Sequence, residues 1–320
     1  MKKIYIFFIS ILVLFCACDR TNNININEIT NENNEITNEN ILDEYQYIYY
    51  NCTDEEFGIA SDGTLVIYNG KEDVDVYIPD NVRNINNCFG GKNVKDVFIP
   101  ASVKYIYNIP FCKNYKISEN NPYYYDINGV LFDKSKSTLI HFPSLKEVNS
   151  YKIPDNVLKV EQFAFNNSKI RIIDLNSCVT IESHGFASTN IEKIDFKNNL
   201  KSIGSYAFMN CDNIKHFDLP NGVVNIGERA FGLCENLEII KVSDSVKNIG
   251  ECLVNGSIKL KELYIPNSVK LINGKLFDKI EYPEMNPVIF VEKGSCAEKY
   301  AKENGYQYKY YDFEKNQVIN

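Results

Sequence analysis

Three aspartates recur at matching places in a repeated phrase: Asp174, Asp195 and Asp218, each preceded at two residues by Ile172, Lys193 and His216. Carboxylates gathered on one surface have two chemical uses. They bind Ca²⁺ or a cationic partner, or they form the acid cluster of a polysaccharide-cleaving solenoid. If the phrase is a strand and the strands stack, the three line up as an acidic column. Equal charges at that spacing repel unless Lys193 or a bound cation offsets them. The plainer alternative is a solvated polar face, on which water and salt screen the charges. The next repeats continue the same face with Ile239, Lys241, Glu262 and Tyr264, a mixed set of the kind found in protein recognition. No catalytic residue and no metal ligand is assigned, and no cofactor is implied.

Other candidates are weaker. His141, His184 and His216 have no companion at catalytic or metal spacing, so each reads as a surface or partly packed histidine. The sequence holds ten cysteines, but no Cys-x-x-Cys, which argues against a structural zinc site. Cys211 and Cys234 both fall three residues after a repeat phenylalanine, which predicts equivalent core thiols. Cys52, Cys88, Cys112, Cys178, Cys252 and Cys296 cannot be paired from spacing. Phosphate loops, nucleophile elbows and His-Glu-x-x-His are missing.

The elements that would carry these residues are set by a repeat. Ile181, Ile203, Ile226, Ile249 and Ile272 recur at steps of 22, 23, 23 and 23 residues. Each unit adds apolar residues at i, i+3 and i+5, such as Ile170/Ile173/Leu175, Leu237/Ile240/Val242 and Leu260/Leu263/Ile265. Positions i+3 and i+5 alternate as a strand does, with i+2 and i+4 facing outward. One such strand cannot bury its apolar side alone. Stacked copies about 4.8 Å apart make a parallel sheet and a continuous core, so the period predicts a β-rich solenoid.

The phrase Ile-Pro-Asx/Ser-x-Val-x-x-Ile-(Gly)-x-x-Ala-Phe-x-x-Cys resembles the BspA-type leucine-rich repeat of bacterial surface proteins, over about residues 57–311. Examples are Leu219-Pro220-Asn221-Gly222-Val223 leading to Ile226-Gly227 and Ala230-Phe231, and Ile265-Pro266-Asn267-Ser268-Val269 leading to Ile272. The resemblance implies a leucine-rich repeat of 22–23-residue coils, adhesion to matrix or neighbouring-cell proteins, and no enzymatic activity. Two earlier coils begin at Ile78-Pro79 and Ile99-Pro100, with Ile85 and Ile106 as their repeat isoleucines. Residues 107–152 break the period. They contain Gly129-Val130-Leu131-Phe132 and Ser137-Thr138-Leu139-Ile140, two strands about Asp133–Ser135 that read as a hairpin. The same insertion occurs in the resembled family.

The ends read as caps. In residues 44–78 the alternating Thr64–Tyr68 stretch predicts a hairpin-like N-terminal cap. Residues 283–311 predict a helix-strand cap: Ser295 with Glu298 forms a capping box, Asn304-Gly305 stops the helix, and Tyr306–Tyr310 follows as a strand. Residues 1–17 carry Lys2-Lys3 and an apolar run, the pattern of a secretory signal peptide. Phe15-Cys16-Ala17-Cys18 resembles a lipobox, with Cys18 as the lipid anchor. Residues 18–43 are an Asn/Glu/Thr-rich tether too poor in apolar surface to fold. Residues 44–320 then form a single solenoid. The net charge of −8 argues against nucleic acid. The expectation is an outer-membrane, cell-surface lipoprotein that touches the membrane only through its anchor and binds an extracellular-matrix, host or neighbouring-cell protein. The alternative is a carbohydrate-active or Ca²⁺-binding solenoid using the Asp174/Asp195/Asp218 column. A periplasm-facing scaffold with no external ligand is a third.

Overall fold

A computed structural model describes residues 56–86, 88–107 and 111–319. The signal peptide, Cys18, the tether, residues 44–55 of the N-terminal cap and Cys52 lie outside the described residues. The chain divides into two compact units, one ending at Phe111 and the other beginning at Cys112.

In the first unit, Phe57–Ile59 (β1) pairs antiparallel with Thr64–Tyr68 (β2). This is the expected capping hairpin, closed by a turn in which Asp62 accepts from the Thr64 amide at 2.8 Å. Two parallel ladders follow. Val76–Tyr77 (β3) pairs with Asp96–Ile99 (β5), while Asn84–Asn86 (β4) pairs with β2 and with Tyr105–Tyr107 (β6). Leu65 and Ile85 lie on adjacent rungs and are buried, as are Val76 and Val97. Inward positions are aliphatic because only they lose water when a second coil stacks.

The second unit opens with Asn114–Ile117 (β7), Tyr124–Ile127 (β8), Val130–Asp133 (β9) and Thr138–His141 (β10). The hairpin expected about Asp133–Ser135 is β9–β10, and β8 extends it to a three-stranded antiparallel meander. The meander is part of the solenoid, because β10 is also its first rung: Leu139 sits beside Val160 of Lys159–Val160 (β12). From there the ladder runs through Thr180–Ile181 (β14), Ser202–Ile203 (β16), Asn225–Ile226 (β18), Asn248–Ile249 (β20) and Leu271–Ile272 (β22). Val160, Ile181, Ile203, Ile226, Ile249 and Ile272 stand in register along it, all buried.

The other side of each coil carries Ser150–Lys152 (β11), Ile172–Asp174 (β13) and Lys193–Asp195 (β15) in one sheet. A second sheet there holds His216–Asp218 (β17), Ile239–Lys241 (β19), Glu262–Ile265 (β21), Val288–Val291 (β23), Tyr308–Asp312 (β24) and Gln317–Val318 (β25). Between the two sides runs a spine of stacked rings, Phe142, Phe165, Phe186, Phe208 and Phe231, with centroids 5.0, 4.6, 5.5 and 5.4 Å apart. Offset stacking at this distance adds to what burial alone gives.

Three features explain the repeated phrase. The proline carbonyl accepts from the valine amide three residues on, at 3.0 Å for Pro154/Val157 and 3.2 Å for Pro266/Val269, which turns the chain out of one strand. The glycine after the isoleucine is steric: a Cβ on Gly227 would lie 2.3 Å from the Ser205 nitrogen and 2.5 Å from the Gly204 carbonyl carbon. The third is a left-handed residue in each coil, Phe163, His184, Tyr206, Arg229 and Cys252, with φ from 48° to 59°. For non-glycine residues that backbone costs about 1 kcal/mol each. It is offset by bonds to the next coil, for example Tyr206 N to Glu228 O at 2.7 Å. It also stacks Phe163, His184 and Tyr206 at 4.7 Å intervals on the turn side.

The C-terminal cap contains Cys296–Glu303 (α1). The Ser295 hydroxyl accepts from Glu298 N at 3.1 Å, and Glu298 reaches back to Gly294 N at 2.5 Å, one residue before the usual capping-box partner. Glu298 also accepts from Lys302 and Tyr310, and these donors depress its carboxyl to about 2. The strand after the helix is shifted from Tyr306–Tyr310 to Tyr308–Asp312, because Tyr306 is buried with its hydroxyl donating to Phe277 O at 3.1 Å.

Candidate functional site

The candidate residues of the binding face come from alternate positions of strands three or four residues long, and the backbone brings them together in two groups. In the first, Ser150, Ile172 and Lys193 share one outward row and Lys152, Asp174 and Asp195 the other. In the second, His216, Ile239 and Glu262 lie beside Val288, while Asp218, Lys241 and Tyr264 lie beside Phe290.

The acidic column therefore stops at two. Asp174 and Asp195 are neighbours, but β15 ends one sheet and β17 begins the next, so Asp218 faces Lys241 instead. The turn after β15 accounts for the break. Where the next coil has Leu219-Pro220, this one has Phe196-Lys197-Asn198, with Lys197 and Asn198 both left-handed at φ 47° and 57°. That backbone swings Lys197 over the acids, its Nζ 2.6 Å from Asp195 and 3.9 Å from Asp174. The hydrogen bond from Lys197 holds the Asp195 carboxyl below its usual range, and in return the Lys197 ammonium titrates higher. Like-charge repulsion is thus relieved from within the chain. Among the described residues no group of three His, Cys, Asp or Glu side chains is placed to hold a metal ion.

The second group changes along its length. His216 and Asp218 are exposed, Ile239, Lys241 and Glu262 half-buried, and Tyr264 only 9% exposed. Tyr264 is thus a covered residue. It stacks on Phe290 at 4.4 Å, meets Tyr311 edge-on at 4.9 Å and donates to Glu262 at 2.7 Å. Lys241 lies over its ring at 5.3 Å. Burial raises its phenol. These aromatics form a small outer core, with Phe313 at its margin. Nearby ion pairs frame both groups: Arg171 forks onto Glu192 at 2.7 and 2.8 Å, and Lys261 meets Glu238 at 2.6 Å. Each is exposed and adds little stability; their effect is to fix the charge pattern.

His141 departs from a surface histidine. It is buried, its Nδ1 2.9 Å from the Tyr115 hydroxyl, and burial lowers its pKa to about 4. His184 is half-buried in its stack and is lowered by the same cause. His216 is exposed on β17 as expected. The described cysteines are all free thiols, all buried except Cys296. Cys211 and Cys234 hold equivalent places and donate to the carbonyls of Phe186 and Phe208, each at 3.1 Å. Ser257 makes the same bond to Phe231 at 2.7 Å.

No helix among the described residues is long and apolar enough to cross a membrane. No curated protein matches the chain. Among solved structures it is similar to the pneumococcal vaccine antigen PcpA, at 20% identity over 74% of this chain and 67% of that one, TM-score 0.55. A leucine-rich cell surface protein from Faecalibacterium prausnitzii A2-165 aligns at 21% identity over 66% of this chain and 62% of its own, TM-score 0.50. A leucine-rich repeat protein from Eubacterium ventriosum aligns at 20% over 64% and 65%, TM-score 0.50. The chain spans less than two thirds of these last two relatives. At such identities the likeness establishes the fold alone, as a leucine-rich repeat solenoid. The model of the BspA-type leucine-rich repeat region matches in six copies, over residues 45–151, 140–208 and 179–293. With its repeat isoleucines, glycines and phenylalanines stacked as that phrase requires, the chain belongs to the BspA-type leucine-rich repeat family.

Proposed function

We propose that the protein is a non-enzymatic recognition protein, anchored at the bacterial surface through lipid on Cys18, whose outward strand positions bind a host or neighbouring-cell protein. The carrying observation is the division of labour across each strand. Inward Ile173, Ile194, Phe217, Ile240 and Leu263 are apolar, while outward positions mix an exposed Ile172 with Lys193, Asp195, His216 and Asp218. A rigid backbone carrying a variable apolar-and-charged surface is suited to protein recognition. Membership of a leucine-rich repeat family supports the reading, as does the description of one structural relative as a cell surface protein. The anchor, the tether and the single solenoid over 44–320 rest on the sequence. Lys197 already offsets one of the two charges of the Asp174–Asp195 pair, so a Ca²⁺ or carbohydrate-cleaving role gains no support from that geometry.

The test is saturable binding of the mature chain to matrix proteins, mucins and cell envelopes. The combined variant Ile172→Asp, Lys193→Glu, Asp218→Lys is expected to weaken binding at least about ten-fold, the scale of losing one hot-spot contact, while leaving the melting temperature in place. No saturable binding by the parent chain overturns the proposal. Protease treatment of intact cells distinguishes outward from periplasmic display.

A further inference from the structure

We propose that Tyr77, in the first unit, is a seat for an arginine side chain of a partner protein. Its ring is 63% exposed, yet it is held in place. It lies flat on Phe98 at 4.2 Å and 8°, on the adjacent rung of the β3–β5 ladder. The Ile78 amide donates to Phe98 O at 3.0 Å and fixes that register. Because β3 begins its ladder, the ring face turned away from Phe98 meets solvent. A large ring fixed flat with one face bare is pre-organised for stacking.

Charge selects the occupant. Asp75 immediately precedes the strand, two residues before Tyr77, and its carboxylate accepts from the Asp96 amide at 3.3 Å. Glu72, Asp73 and Asp80 are exposed close by in sequence, with Lys71 the nearest cation on that segment. Other tyrosines of the protein already carry a lysine of their own chain over the ring: Lys136 on Tyr125 at 4.2 Å, Lys279 on Tyr306 at 5.0 Å and Lys302 on Tyr308 at 5.7 Å. Among the described residues Tyr77 has none. A positive group over this ring gains from the ring quadrupole and from Asp75 together. Guanidinium fits better than ammonium, because it is planar, stacks flat and forks onto a carboxylate at its edge.

The experiment titrates the whole mature chain, ¹³C-labelled at tyrosine, with a Gly-Arg-Gly-Arg-Gly peptide and with the same peptide carrying citrulline for arginine. The Tyr77 ring signal is assigned as the one missing from Tyr77→Phe. It is expected to shift saturably with arginine and to stay in place with citrulline. Tyr77→Ala and Asp75→Asn should each weaken binding about five-fold, the weight of one exposed cation–π or ion-pair contact. Asp218→Asn, in the second unit, should change nothing. A stationary Tyr77 signal, an equal response to citrulline, or equal losses in all three variants overturns the assignment. The recognition role of the second unit stands or falls by its own binding test.

Discussion

His141 shows what a polar residue costs when a solenoid closes over it. Its imidazole is buried and neutral, bonded to Tyr115, with a pKa near 4 against about 6.5 in the unfolded chain. Above pH 6.5 neither state binds the proton. Between 6.5 and 4 only the unfolded chain takes it up, so stability falls as the pH drops. Below 4 both states are protonated and the slope ends. At about 1.4 kcal/mol per pH unit the loss over that window is about 3 kcal/mol, with the lowered His184 adding in the same direction. Urea unfolding at pH 7, 5.5 and 4.5 should show this slope, and His141→Gln should remove most of it; an unchanged slope would refute the assignment. The cysteines make a second case. Cys234 donates to Phe208 O where Ser257 serves the next coil, so Cys234→Ser should cost under about 1 kcal/mol and Cys234→Val about 1–2. Burial pushes the Cys211 thiol to about 11 and raises the Cys234 thiol well above its ordinary value, so thiol reagents at pH 8 should label both only after unfolding.

At the scale of the coil, close approach matters more than propensity. Gly227→Ala would drive a methyl into the Ser205 and Gly204 backbone, which cannot turn aside as a side chain can. The expected loss is about 2–3 kcal/mol, read from the urea midpoint. A loss below about 0.5 kcal/mol would mean that the coils are not seated as described. The inward half of each coil was legible beforehand, because a two-residue alternation inside a 23-residue period leaves one arrangement in which Ile226, Ile249 and Ile272 all lose water. The outward half was less so. Lys197 reaches Asp195 only because two successive left-handed residues reverse the turn, and Phe196-Lys197-Asn198 gives no turn signal as strong as Pro220. Tyr264 is covered by Tyr311, 47 positions later in the chain. Tyr115 finds His141 across the meander, 26 residues apart. Pairings of this kind depend on where distant strands stack, which no local pattern encodes.

For the whole molecule, stability is a sum over neighbours, and the last coil of the second unit depends on its cover. Helix α1 and strands β24 and β25 shield the end of that unit, with Tyr306, Ala297 and Ala301 in the common core. Deleting residues 294–320 should bare Leu276, Phe277 and Ile289 and the unpaired edge of β23. Light scattering should then show self-association, and the melting temperature should fall; a monodisperse truncated chain would contradict the capping role.

The alternation of inward and outward letters has a consequence for how such a surface changes over time. An outward residue such as Lys193 or His216 touches no ring of the spine and no glycine seat, so it can be exchanged without a matching change elsewhere. Novelty in contact and constancy in support are thus written on separate letters of the same three-residue word, and one strand can acquire a new partner while its reverse side stays as it was.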